Sequence, residues 1–232
     1  MNIVGIIPAR YNSTRFPGKP LVKILRKPMI QWVYEASLKS KLLDEIIVAT
    51  DDKRIFDVAS GFGAKVVMTP ECSSGTDRLA FVCKKINCDI VVNIQGDEPL
   101  IKSEIIDGAI EPLIKSKNIQ ISTIATDFEN EKEKTNQNNV KVILDKNNFA
   151  IYFSRLSLPN SLKHIGIYVY RKNFLLEFSK MEQTLLETSE KLEQLRIIEN
   201  GYKIYVAKTK YKTVGVDTED DLQKVRKVLG RF

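Results

Sequence analysis

The chain has 232 residues, 43% hydrophobic and 28% charged, with a formal net charge of +7 at pH 7, an ordinary globular composition whose length fits one large domain with a full core and, taken alone, also allows two small ones. No apolar run approaches the ~20 residues that span a bilayer, so no membrane partner is expected, and the alternation of lysines with acids through 129–134 and 182–193, without an aromatic-interleaved basic stripe, points away from nucleic acid. Three cysteines with no C-x-x-C pair and a single histidine suggest neither a disulfide framework nor a zinc site, and with Met1 leading straight into a strand pattern they predict a reducing, cytoplasmic location.

From the N-terminus, apolar runs alternate with helical patterns: strands near 2–8, 45–50, 64–67 and 89–94, helices near 28–41, 52–62, 76–87 and 101–116. Such a βαβ series forms a largely parallel sheet with right-handed crossovers and helices on both faces. From residue 119 the pattern turns to strands without regular crossovers, at 119–126, 139–145, 148–153 and 164–171, with Asp145-Lys146-Asn147-Asn148 as a turn. The polar stretch 129–139 reads as the most mobile loop. A long helix is predicted over 184–200, stopped by Gly201 as a C′ glycine, then a strand at 203–208 and a last helix at 218–229. Lys208, Lys210 and Lys212 fall on alternate residues there, which would put three cations on one strand face. The expected fold class is α/β: a single domain, 1–232, built as a three-layer sandwich with a mostly parallel twisted sheet and an antiparallel arm.

Ligands of such sheets sit beyond the C-terminal ends of the strands. Three features fall there: the loop 9–20, Thr50-Asp51-Asp52, and Gln95-Gly96-Asp97-Glu98-Pro99. The loop holds Arg10, Arg15 and Lys19 and no acid. With backbone N–H groups freed by Ser13, Gly18 and the prolines, it suits a triphosphate. Asp97 stands just past a buried strand, and Gly215-Val216-Asp217 repeats that design far along the chain. Two such carboxylates suffice for Mg²⁺, which takes one or two protein ligands and completes its shell with phosphate oxygens and water. Plainer readings stand beside these. Thr50-Asp51-Asp52 and Ser74-Gly75-Thr76-Asp77 both read as helix caps, and Thr218-Glu219-Asp220 as a helix start next to Asp217.

Seven segments occur in order: Ile7-Pro8-Ala9-Arg10-Tyr11 with Phe16-Pro17-Gly18-Lys19-Pro20, Ser74-Gly75-Thr76-Asp77-Arg78, Asn93-Ile94-Gln95-Gly96-Asp97-Glu98-Pro99, Tyr152-Phe153-Ser154-Arg155, His164-Ile165-Gly166-Ile167-Tyr168, Leu192-Glu193-Gln194-Leu195-Arg196 and Gly215-Val216-Asp217-Thr218. Together they resemble the sugar nucleotidyltransferases, and among them the 3-deoxy-manno-octulosonate (Kdo) cytidylyltransferases, over nearly the whole chain. The resemblance implies transfer of a cytidylyl group from CTP to an acidic sugar, with Mg²⁺, for lipopolysaccharide biosynthesis, in a homodimer formed through the antiparallel arm. It implies a nucleotide-binding half, 1–118, and a half for sugar binding and dimerisation, 119–232.

Carried over residue by residue, Ala9, Arg10, Arg15, Lys19, Ser74 and Arg78 would bind the nucleotide, with Ser74 and Arg78 on the cytosine side. Asp97 and Asp217 would hold the metal, and these two with Arg10 and Lys19 form the catalytic set. Gln95, Arg155, His164, Tyr168, Glu193 and Gln194 would surround the sugar, with Leu192 and Leu195 packing inward behind the polar pair. Two departures stand out. Only eight residues, 156–163, separate Arg155 from His164, where the family carries a longer, aromatic-containing loop, and Asn136-Gln137-Asn138 lacks the family's central proline. The short loop keeps a different acidic sugar, an amino-Kdo or a nonulosonate, as an alternative substrate. The rival of another class is an inactive nucleotide-binding homologue.

Overall fold

The segment Ile3-Val4-Gly5-Ile6-Ile7 is buried along its whole length, as a strand covered on both faces must be. In the computed structural model, which describes residues 1–12 and 16–230, it makes most of β1 (Ile3–Ala9). The chain groups into two compact units, Met1–Asp107 with Lys212–Phe232, and Gly108–Tyr211.

In the first unit, β1 is followed by a small antiparallel hairpin of β2 (Lys23–Ile24) and β3 (Lys27–Pro28), then α1 (Met29–Ser37), β4 (Glu45–Thr50), α2 (Lys53–Gly61), β5 (Lys65–Met68), α3 (Gly75–Cys83) and β6 (Ile90–Asn93). The order β6-β1-β4-β5 is parallel throughout. Every residue of β6 is buried, so the unit has the continuous apolar strands of a sheet with helices on both sides. Asp52 accepts from the Arg54 N–H at 2.9 Å and starts α2. Ser74 and Asp77 start α3 by capping each other's backbone, both at 3.1 Å. The helix α4 (Ser103–Lys115) follows, and the boundary between the units falls within it.

The second unit contains β7 (Ile121–Thr126), α5 (Glu131–Thr135), β8 (Lys141–Leu144), β9 (Ala150–Ser154), β10 (Leu162–Arg171), α6 (Lys172–Phe178), α7 (Leu185–Glu190), α8 (Gln194–Glu199) and β11 (Tyr205–Lys208). Here the expected antiparallel excursion is present: β10 runs antiparallel to both β7 and β8, β9 pairs back on β8, and β11 is parallel to β7. The turn at 145–148 is held by the Asp145 carboxylate, which accepts from the N–H groups of Asn147 and Phe149. The last helix, α9 (Glu219–Leu229), belongs to the first unit, where Val216, Leu222 and Val225 pack with Ile24 and Met29.

Three expectations about elements are corrected, and one element, α6, has no counterpart in the sequence reading. The single helix over 184–200 is two short ones, α7 and α8, separated at Lys191, whose φ of 55 is left-handed. That turn buries Leu192 and lets Arg196 donate to both carboxylate oxygens of Glu187, at 2.7 and 2.5 Å, a long-range pair that helical spacing cannot register. Gly201, with φ 81, closes α8 as a C′ glycine. The stretch 129–139 holds the short helix α5, which Asn130 caps by accepting from the Glu133 N–H at 2.9 Å. Helix α6 follows β10 without a break and buries Phe174, Leu175 and Phe178. Finally, β11 ends at Lys208, so Lys210 and Lys212 lie beyond the strand and do not share its face.

Candidate active site

In the first unit β1 ends at Ala9, and the exposed Arg10 follows directly. The chain comes back on itself where the Gly18 N–H donates to the Tyr11 carbonyl at 2.9 Å. Gly18 has φ 70, and a Cβ on it would stand 3.1 Å from the Tyr11 ring, so this return requires glycine. The guanidinium of Arg54, from α2, lies 3.3 Å from the centre of the same ring and steadies the neck of the loop. Arg15 and Ser13 lie outside the described residues.

The return delivers Lys19 inward. Its side chain is 14% exposed, and Nζ donates to Asp97 Oδ2 at 2.5 Å, to the Val216 carbonyl at 2.9 Å and to Asp217 Oδ1 at 3.4 Å. The two aspartates are brought side by side by a backbone bond, the Val216 N–H donating to the Asp97 carbonyl at 2.9 Å. Capping of α9 falls to Thr218, whose hydroxyl accepts from the Asp221 N–H while Asp221 reciprocates. The Asp217 carboxylate faces Lys19. Gly96 allows close approach on the other side, since a Cβ there would stand 3.3 Å from the Pro8 carbonyl.

These groups line a cavity of about 400 Å³ together with Pro8, Ala9, Arg10, Pro20, Cys72, Ser73, Ser74, Gly75, Arg78 and Gln95. The seven described residues predicted at the nucleotide and metal end thus surround one space, together with Gln95. Two of them are already committed. The Ser74 hydroxyl serves the α3 cap, and Arg78, 3% exposed, is bound to Asp51 Oδ2 at 2.6 Å and to the Thr69 hydroxyl at 2.5 Å. Arg78 can thus present only an edge to a ligand. Asp51, part of the strand-end group Thr50-Asp51-Asp52, works here as the counter-ion of Arg78, a role that its local sequence does not announce.

The remaining predicted residues lie in the second unit. The His164 ring, 8% exposed, packs edge-on to Phe153 at 5.2 Å and against Tyr168 at 5.3 Å, and its Nε2 is 2.8 Å from the Thr123 hydroxyl. Burial pushes its pKa down to about 3, so the imidazole is neutral at pH 7. Packing around the Tyr168 phenol, and then the charge of Glu193, raise that group well above its usual range. Gln194 is buried at the start of α8, and the carboxylate of Glu193 lies 3.8 Å from Arg196. Arg155 points elsewhere: its guanidinium donates to the Gln137 carbonyl at 3.3 Å, and its own carbonyl accepts from the buried Lys141 at 2.8 Å. Lys141 donates equally to the carbonyls of Asn136 and Asn139 and so fixes that loop.

The cytidylyltransferase family profile matches residues 4–204. A 3-deoxy-manno-octulosonate cytidylyltransferase of Geobacter metallireducens is 47% identical, covering 100% of this chain and 99% of the relative. The chain belongs to the 3-deoxy-manno-octulosonate cytidylyltransferase family. A second such enzyme, from Fusobacterium nucleatum, is 48% identical over 97% of the chain and 96% of its own length. Among solved structures, CMP:2-keto-3-deoxy-manno-octonic acid synthetase complexed with CTP superposes with a TM-score of 0.94 at 38% identity, covering 100% of this chain and 99% of that one. A 4-diphosphocytidyl-2C-methyl-D-erythritol synthase from Anaerococcus prevotii, TM-score 0.67 at 14% identity, covers 99% and 98% and shares the fold. The alignment to the Geobacter enzyme runs over 252 positions against a chain of 232 residues, so this family member lacks residues that its relative carries.

Proposed function

We propose that this chain transfers the cytidylyl group of CTP to Kdo, giving CMP-Kdo and pyrophosphate for lipopolysaccharide biosynthesis. The observation that carries the reading is the meeting of Lys19, Asp97 and Asp217 beside Arg10 in one cavity at the end of β1, in a member of a cytidylyltransferase family. In the reaction an oxygen–phosphorus bond forms between the anomeric hydroxyl of the sugar and the α-phosphorus, and the bond from the α-phosphorus to the bridging oxygen of pyrophosphate breaks. Negative charge builds on the α-phosphate and on the leaving group. Arg10 and Lys19 stabilise it with fixed cations that need no reorganisation, and no side chain acts as nucleophile.

Mg²⁺ fits the residues present. Two hard carboxylate oxygens from distant segments face the same ammonium group, each side chain 33% exposed, and a pair is what this ion takes when phosphates fill the rest of its shell. Asp97 and Asp217 would hold it, and when bound it neutralises phosphate charge. Lys19 keeps the two carboxylates together, balancing a repulsion that would otherwise part them. The dimer expected through the arm is supported by β9, which pairs only with β8 among the described strands and leaves Ile151 54% exposed.

Pyrophosphate release from CTP, UTP, ATP and GTP, each with Kdo and with other acidic sugars, tests the assignment. Release that requires CTP and Kdo together supports it; release with neither preference removes it.

A further inference from the structure

We propose that Thr123 sets the tautomer of His164, so that the imidazole offers a bare Nδ1 as hydrogen-bond acceptor to a hydroxyl of the sugar. This inference rests on the reading that His164 belongs to the sugar site. Thr123 is then a positioning residue, acting through the histidine.

The placement begins with an irregularity in the sheet. Along β10 the pairing with β7 is regular from Lys163 to Ile165, slips, and resumes at Tyr168, which stands opposite Thr123. A bulge of this kind frees carbonyl groups from the ladder and re-aims the side chains beside it. The Thr123 side chain, fully buried, answers both changes: its Oγ1 lies 2.6 Å from the Ile167 carbonyl, 3.4 Å from the Ile165 carbonyl and 2.8 Å from His164 Nε2.

Proton counting fixes the roles. A threonine hydroxyl has one proton and two lone pairs. The carbonyls can only accept, and the 2.6 Å contact with Ile167 takes the proton. The contact with the ring must then run the other way, His164 Nε2–H donating to Oγ1. A neutral imidazole carries one N–H, so Nδ1 is left as an acceptor. Among the described residues Nδ1 has no hydrogen-bond partner. Phe153 and Tyr168 hold the ring plane from two sides.

The consequence is chemical selectivity. A bare Nδ1 on a neutral ring accepts from a hydroxyl and repels a carboxylate, so His164 reads the polyol part of an acidic sugar and leaves the carboxylate to other groups. Loss of this single bond between neutral groups is worth about tenfold in affinity.

The chain has one histidine, so imidazole ¹⁵N NMR of the labelled full-length protein reports on this ring alone. The expected spectrum shows Nε2 protonated and Nδ1 bare, with the Nδ1 resonance shifting when Kdo is added. In Thr123→Val the Nε2–H form should lose its dominance and KM for Kdo rise about tenfold, with KM for CTP unchanged, while Thr123→Ser restores both. An Nδ1–H tautomer in the unaltered protein overturns the proposal, whatever the variants do, and so does a Thr123→Val protein that keeps the original tautomer. The expected tautomer with no response of Nδ1 to Kdo instead removes His164 from the sugar site, and the acceptor role with it.

Discussion

Lys19 and Asp97 are 78 residues apart in the chain and meet through a 2.5 Å contact between Nζ and Oδ2. That contact joins the basic loop after β1 to the carboxylate after β6, and the backbone bond from Val216 adds Asp217 to the pair. Charge of both signs is thereby gathered at one strand edge before any nucleotide arrives, which is the preorganisation that phosphoryl chemistry needs.

If Asp97 and Asp217 hold Mg²⁺ as proposed, Asp97→Asn and Asp217→Asn should each lower kcat/KM by on the order of a thousandfold, because the proposed site loses a carboxylate while side-chain volume is kept. Melting temperatures should change little. Thr218→Ala provides the contrast, since Thr218 is the cap of α9: it should cost about 1 kcal/mol of stability and leave turnover near normal. Near-normal turnover of Asp217→Asn at saturating Mg²⁺ would reassign that residue to local structure.

The buried His164 should make stability fall as pH is lowered. Its pKa is depressed from 6.5 to about 3 in the folded chain, so above pH 6.5 both states are neutral there and the residue contributes no pH dependence. Below 6.5 the unfolded chain takes up a proton that the folded chain refuses, and stability is lost at up to about 1.4 kcal/mol per pH unit down to about pH 3. Urea midpoints measured between pH 7 and 5 for the unaltered protein and for His164→Gln check this. The slope of the first should exceed that of the second; equal slopes refute it.

The connection 155–161, between β9 and β10, is a tight one. Asn160 after Pro159 has φ 53, and the Ser161 hydroxyl donates to the Leu158 carbonyl at 2.8 Å. Such a turn has little reach over a bulky sugar, and covering the sugar is what excludes water and orients the attacking hydroxyl. A longer loop from a family member, grafted between Arg155 and His164, should lower KM for Kdo and narrow sugar choice, with KM for CTP unchanged. No change in KM for Kdo or in sugar preference would show that the short turn is without consequence.

Much of the first unit was legible because buried parallel strands read as continuous apolar runs, and strand ends then mark where ligands gather. That rule draws attention to Asp97 and to the loop that holds Lys19, but a strand-end aspartate reads equally as a helix cap, and it is the family resemblance that turns the reading toward a metal ligand. Asp217 needed the structure to separate it from Thr218, since both precede the same helix and only geometry shows which one caps it. The Arg78–Asp51 pair, the Glu187–Arg196 pair that divides 184–200 into two helices, and the Thr123–His164 contact all join residues 9 to 41 positions apart. Such pairs leave no periodic trace, so neither composition nor spacing could reveal them.

The central claim is tested most directly by ³¹P NMR of the purified protein mixed with CTP, Kdo and Mg²⁺. The account predicts equal amounts of a CMP–sugar phosphodiester and pyrophosphate, with neither formed when Kdo is omitted and little when UTP replaces CTP. Pyrophosphate formed without the phosphodiester, or equal yields from UTP and CTP at limiting concentration, would contradict it.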